Sequence, residues 1–348
     1  MIRPKSILVL LAALTIAQLS WSQDLGGWTD SDVKGLAPAK HFSGTIVAEK
    51  NGQVLIQKSY GAAVEGWQIP NSPETKFEIA SLSKQFTAAA ILQLADAGKL
   101  NVEDPVSKYY PESPPAWKGM TIHHLLTHTS GLPENEWENF YQGKAAHYTT
   151  EEQVKTFRDR PLGFQPGTAW KYRNTEYYLL AYIVEKLSGE SYATYLAHDI
   201  FESLKMTHSG FATMAAIVPQ MSEGYSREGS TLIRREYFDR SLETGAGGIY
   251  TIAEDMLRWN KGLDSPGLLS AQALDFMFTA HPPGNYGAGW FIETSPRHKI
   301  YHEGGDPGFA AFEARYTDQH VVIIVLANED DSPVRDIADA MAKQLFGD

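Results

Sequence analysis

HVVIIVLAN, residues 320–328, is apolar at every position from 321 to 326, with Asp318 before it and Glu329, Asp330 and Asp331 after it. The run is far too short to cross a bilayer and reads as a strand. A strand with no polar face has to lie inside a sheet that is covered on both sides. Its companions come from both chain ends. Residues 42–49 and 53–60 are β-prone and joined by Asn51-Gly52, a dipeptide that accepts the positive φ of a tight hairpin. Residues 286–294, 298–302 and 310–316 supply further strands, and 333–346 closes the chain as an amphipathic helix. Neither end has enough strands to be stable alone, so the two ends must pair into one sheet.

Between them the signals are mostly helical. Thr150 with Gln153 reads as a capping box, Asn174 as the cap of a run to Leu187 with Gly189 beyond it, and Thr251 with Glu254 as a second box. The expected architecture is α+β: an antiparallel sheet built from both chain ends and flanked by helices, with a mostly helical insertion. Residues 23–112 and 240–348 form the split sheet domain and 113–239 the insertion. The substrate cleft is expected where they meet.

Composition narrows the function. With 348 residues, 43% of them hydrophobic, the chain can bury a large core as one domain or two interlocked ones. Asp and Glu number 42 against 30 Lys and Arg, a formal net charge of −12, which repels phosphate backbones and argues against a nucleic-acid partner. There is no cysteine, which removes disulfides, thiolate metal sites and a cysteine nucleophile. Residues 1–22 carry Arg3 and Lys5, an apolar run from 7 to 19 and the small residues Ser20 and Ser22 around Trp21, the layout of a secretory leader. The apolar run is about 13 residues, short of the ~20 needed to span a membrane. Cleavage after Ser22 and a periplasmic or secreted product with no stable membrane span are therefore expected.

IASLSKQFTAAAILQLADAGK, residues 79–99, carries the chemistry. It reads as a helix starting near Ser81 and ending at Gly98. Ser81 and Lys84 are three apart and share one face of the first turn, with the hydroxyl at the positive end of the helix dipole. Burial would lower the Lys84 pKa and make it a base for a Ser81 nucleophile. Ser31 and Lys34 repeat the spacing but precede the loop GLAPAK.

Tyr172 and Asn174 lie two apart after the turn Gln165-Pro166-Gly167. A phenol beside an ammonium loses its proton more readily, so Tyr172 can exchange protons with Ser81. Asn174 offers a donor and an acceptor to hold the lysine or a substrate carbonyl. The plainer alternative is that Asn174 caps the next helix and Tyr172 packs in the core.

In His302-Glu303-Gly304-Gly305, strand alternation sets His302 and Gly304 on one face. The glycines allow close approach of a substrate, and the N–H of Gly305 can join that of Ser81 as an oxyanion hole. His208-Ser209-Gly210 has a similar pattern but reads as a loop between helical segments. His123, His124 and His128 read as lying in one short helix, and the four-residue spacing of the last two can bind zinc. With no Glu in the His-Glu-x-x-His position and no cysteine, no metal and no cofactor is expected.

Taken together, Ser81-x-x-Lys84, Tyr172-x-Asn174 and His302-x-Gly304 resemble the serine β-lactamase and penicillin-binding-protein superfamily, in particular its class C-like serine hydrolases. Those include esterases, D-aminopeptidases and DD-peptidase relatives. The resemblance runs from about residue 42 to the C-terminus. FEIASLSKQFTAAAILQL, LNVEDPVSKYYPE, TIHHLLTHTSGLP, FQPGTAWKYRNTEYYLLAYIVEKLSGE and AGGIYTIAEDMLRW look like the family's connecting segments. It implies the β-lactamase/transpeptidase-like fold and an acyl-enzyme on Ser81. Lys84 and Tyr172 would share the proton work, Asn174, His302 and Gly304 would orient a small-molecule or peptide-like acyl substrate, and the backbone N–H groups of Ser81 and Gly305 would hold the oxyanion. His302 stands where the family often has the lysine of Lys-Thr-Gly. This removes a permanent cation that would bind a substrate carboxylate, and introduces a group that titrates near neutrality. The rival expectation is a non-catalytic protein of the same fold that binds cell-wall fragments or acyl compounds.

Overall fold

The computed structural model describes residues 42–134, 147–213, 216–236 and 239–347. The expected leader at 1–22 and the Ser31/Lys34 pair lie outside the described residues. The main sheet consists of β1 (Gly44–Lys50), β2 (Gln53–Tyr60), β3 (Phe291–Glu293), β4 (Lys299–Asp306), β5 (Phe309–Tyr316) and β6 (Val321–Ala327). Their spatial order is β3-β4-β5-β6-β1-β2, with every neighbouring pair antiparallel. The chain ends meet where β1 lies against β6, with Gly44 opposite Ala327 and Lys50 opposite Val321. Asn51 and Gly52 turn the opening hairpin with φ of 53° and 77°.

The helices used below are α1 (Ser83–Asp96), α2 (Ile122–Leu126), α3 (Thr150–Arg158), α4 (Asn174–Ser188), α5 (Ala253–Leu263) and α6 (Val334–Phe346). All seven residues of β6 are buried, because its two faces feed two cores. Ile323 and Val325 pack with Ile337 and Met341 of α6, whereas Val322, Ile324 and Leu326 join the larger core with Phe86 and Ile91 of α1. That division accounts for the unbroken apolar run. α1 is buried at every position from Ser83 to Leu92 and packs against α4, which makes it a central helix rather than a surface one.

Local boundaries differ from expectation where capping geometry decides them. The box at α3 is Thr149 with Glu152, one residue earlier than Thr150 with Gln153, because Thr149 has the extended backbone a cap requires. α5 has Ile252 at its cap with no side-chain bond, since Thr251 is held in the strand Ile249–Thr251. Among the described residues of the expected insertion 113–239, helix ends at Glu202. The chain then gives the strands Gly210–Phe211, Tyr225–Glu228 and Thr231–Arg234. His208-Ser209-Gly210 therefore leads into a strand, and Ser209 Oγ donates to Asp255 at 2.9 Å. The strand Ile249–Thr251 pairs on one side with Gly210–Phe211 and on the other with Phe77–Glu78, the lead-in to Ser81.

Candidate active site

Ser81 sits in a tight turn, Ala80–Leu82, between the strand Phe77–Glu78 and α1, and not in the helix itself. Ile79 is anchored at both ends. Its N–H donates to Ile249 O at 3.0 Å, and its carbonyl accepts from Leu82 N at 3.1 Å. Between these anchors Ala80 is forced to a φ of +46°, a left-handed conformation that costs a non-glycine residue roughly 1–2 kcal/mol. Strained backbone of this kind persists only where the surroundings over-determine it. The result is a half-buried Ser81 standing clear of a helix that is buried from Ser83 to Leu92.

Lys84 follows one turn later and is completely buried. Its Nζ donates to Ser81 Oγ at 2.9 Å, to Asn174 Oδ1 at 2.7 Å and to the Ala246 carbonyl at 3.1 Å, so all three donors are used. Burial lowers its pKa to about 7, against the opposing pull of Glu134, Glu243, Asp306 and Glu176. The amine is thus poised between its charged and neutral forms at ordinary pH.

Tyr172 covers this pair, with Lys84 Nζ 4.8 Å from its ring centroid. Its hydroxyl is hidden from solvent and finds no hydrogen bond of good geometry among the described residues, although the nearby Ser81 acts to lower its pKa. Burial dominates and pushes the phenol well above its usual 10. The expected acidification by Lys84 does not occur: loss of hydration on burial outweighs the opposing contact with Ser81, and the nearby Glu134 and Glu176 raise the pKa further.

Asn174 is the first residue of α4 rather than its cap. The cap is Arg173, without a side-chain bond, and the Asn174 side chain is turned to Lys84 instead. The work at the helix N-terminus falls to Glu134, whose Oε2 accepts from Asn174 N at 2.9 Å. Glu134 is also the strongest charge acting on Lys84.

His302 is 1% exposed. Its Nδ1 lies 2.7 Å from Glu303 O, an obligate acceptor, so Nδ1 carries the proton and Nε2 accepts from Tyr286 Oη at 2.9 Å. Burial, and then Lys84, lower its pKa to about 3. The expected titration of His302 near neutrality is therefore replaced by a permanently neutral imidazole. Gly304 faces inward and Gly305 outward, as the alternation requires. A Cβ on Gly304 would lie 2.3 Å from Ile79 O, so its bareness lets β4 press against the Ser81 turn, whereas a Cβ on Gly305 would meet no atom of the described residues within 4 Å.

Several contributors were not legible beforehand: Glu134, the Ala246 carbonyl, Tyr286, and a buried His128–Glu176 pair. His128 Nδ1 makes a short contact with Glu176, whose other oxygen accepts from Ser130 Oγ at 2.5 Å. Burial lowers the His128 pKa and raises that of Glu176, which leaves the pair uncharged overall. The ring of His128 packs 4.4 Å from that of Tyr172. The three histidines do not share a helix. α2 ends at Leu126, and His128 follows with a φ of +60°. His124 Nδ1 accepts instead from Thr121 N at 3.1 Å. Among the described residues, no group of three His, Cys, Asp or Glu side chains is arranged to hold a metal ion.

A family model described as Beta-lactamase matches residues 31–348. Penicillin-binding protein 4* of Bacillus subtilis (strain 168) is 32% identical over 336 residues, covering 88% of this chain and 73% of that protein. A penicillin binding protein from Bacillus halodurans matches with a TM-score of 0.81 at 29% identity, over 89% of this chain and 98% of that one. The D-amino acid amidase from Ochrobactrum anthropi SV3, complexed with L-phenylalanine, matches at 0.81 over 92% and 99%, but at 20% identity it is a likeness of fold. The model match runs through the Ser81 turn, the Tyr172 segment and β4 alike, and the chain belongs to the Beta-lactamase family.

Proposed function

We propose that this protein is an exported serine hydrolase that opens ester, amide or lactam bonds through an acyl-enzyme on Ser81. The observation that carries this reading is the 2.9 Å contact between Ser81 Oγ and a buried lysine whose pKa is about 7. In its neutral form Lys84 takes the Ser81 proton as Oγ attacks the carbonyl. The N–H groups of Ser81 and Gly305 receive the oxyanion. Tyr172, kept as a phenol, passes a proton to the departing group and is restored from the lysine ammonium. Water then attacks the acyl-enzyme ester as Lys84 takes its proton, the acyl–Oγ bond breaks to release the acid, and the lysine ammonium returns the proton to Ser81 Oγ. Asn174 and the Ala246 carbonyl keep the amine aimed throughout. Export is read from residues 1–22.

Treatment with a fluorophosphonate should add one adduct, mapped by mass to Ser81 and missing from Ser81→Ala. Labelling at another residue, or none on folded protein, overturns the assignment. The base requirement sets the pH dependence. The amine works only when neutral, so kcat/KM for a nitrophenyl ester should rise about tenfold per pH unit below about 7 and level off above it. An acid limb centred near 4 would instead point to a carboxylate base.

The same site argues for uncharged substrates. Both ring nitrogens of His302 are occupied and the ring is neutral, so His302 itself offers a carboxylate neither a charge nor a free donor. A short uncharged ester should exceed a chromogenic cephalosporin, which carries a carboxylate, by about 10²-fold in kcat/KM, the worth of roughly two charge-assisted hydrogen bonds. Equal rates on both would remove this preference.

A further inference from the structure

We propose that Arg240 is a positioning residue that clamps together three of the chain segments that form the catalytic centre, a role that rests on the acyl-enzyme reading above. Its guanidinium is buried, and each of its contacts leads to a different part of the site. One is an ion pair with Glu78, three residues before Ser81. A second runs from Nη1 to Asp306 Oδ2 at 2.9 Å, the residue that follows Gly305. The third runs from Nη1 to Glu243 Oε2 at 3.2 Å. The Glu243 carbonyl accepts from Ala246 N at 2.9 Å and Gly247 N at 2.8 Å, fixing the loop whose Ala246 carbonyl holds Lys84 Nζ. Arg235 braces Glu78 from the other side with two bonds of 2.7 and 2.8 Å.

Glu78, Arg240, Glu243 and Asp306 are each at most 7% exposed. Stability alone is a poor reason for such a cluster, because well-packed apolar side chains of similar volume commonly serve as well or better. What a forked guanidinium provides, and an apolar group does not, is fixed direction toward several carboxylates at once. The nucleophile turn, the outer oxyanion donor and the carbonyl that aims the base are thereby referred to one atom group. Misplacing any of them by about 1 Å is enough to cost about 10²-fold in rate.

The test compares wild type, Arg240→Met, Arg240→Lys and Arg227→Met. Arg227 pairs with the buried Glu329 at 2.7 Å and is no part of the site, so it controls for the loss of a partly buried ion pair. Turnover of a nitrophenyl ester is normalised to sites titrated with a fluorophosphonate, and amide exchange is followed for residues 79–84, 244–248 and 304–306. In Arg240→Met, kcat per titrated site should fall about 10²-fold with KM within about threefold. Exchange should accelerate in all three segments together. Arg240→Lys should lose about tenfold, since it keeps the charge without the fork. Arg227→Met should keep kcat per site within about twofold.

Equal kcat per site in Arg240→Met and Arg227→Met overturns the clamp, as does acceleration confined to one segment. If Arg240→Met does not fold, Arg240→Lys carries the same comparison. A wild type that neither labels at Ser81 nor turns over ester refutes the acyl-enzyme reading, and the exchange pattern then judges the clamp by itself.

Discussion

Ser81→Ala is expected to lower turnover of a nitrophenyl ester by about 10⁴-fold or more, and Lys84→Met by a comparable factor, with the double variant scarcely worse than either. The non-additivity follows from the geometry. The two side chains form a single proton-transfer unit joined by a 2.9 Å bond, so removing one leaves the other without a task. A non-catalytic binding protein predicts the same negligible rate for wild type and both variants.

Loss of fold is separable from loss of chemistry. The folded-state pKa of Lys84 is depressed to about 7 from the usual lysine value of 10.5. Burial of this group therefore opposes folding most strongly below pH 7, and the penalty fades as pH rises through the window from 7 to 10.5, where the unfolded chain holds more protons. Removing the amine relieves that penalty at neutral pH. Lys84→Met should melt no more than about 3 °C below wild type by calorimetry while being inactive, and a collapse in Tm would contradict the burial argument.

Gly304→Ala is expected to cost about 10²- to 10³-fold in kcat, the worth of one oxyanion donor, while Gly305→Ala should stay within about threefold. The two glycines differ in what a methyl group would meet. At 304 it would lie 2.3 Å from Ile79 O and 3.2 Å from Leu82 Cδ1. Ile79 cannot yield, because its amide is bonded to Ile249 and its carbonyl closes the Ser81 turn. β4 must therefore retreat and carry the Gly305 N–H away from Ser81. At 305 the added methyl group enters open space. Steady-state kinetics on both variants decide the matter, and a Gly304→Ala enzyme as active as wild type would remove Gly305 from the proposed oxyanion hole.

What could be read in the chain beforehand was whatever is encoded locally. The run at 321–326 announced a strand buried on both faces and Asn51-Gly52 a hairpin, because periodicity and turn chemistry act within a few residues; the three-residue step from Ser81 to Lys84 gave their neighbourhood but not that Ser81 lies in the Ala80–Leu82 turn ahead of α1. The capping boxes failed for the same reason. Thr149, Thr150 and Thr251 are chemically alike, and only the path of the incoming backbone decides which of them caps.

The sequence by itself determined the α+β class, the joining of the two chain ends and the residue types at the centre, since hydrophobic pattern and side-chain chemistry are properties of the string. Tertiary structure alone decided the charge states. Depth of burial lowers Lys84 to about 7, holds Tyr172 as a phenol and neutralises His302 near 3, and burial is a sum over distant neighbours. It also decided the company those residues keep. Glu134, Ala246, Tyr286 and Arg240 are far from Ser81 along the chain and reach its surroundings only through tertiary packing.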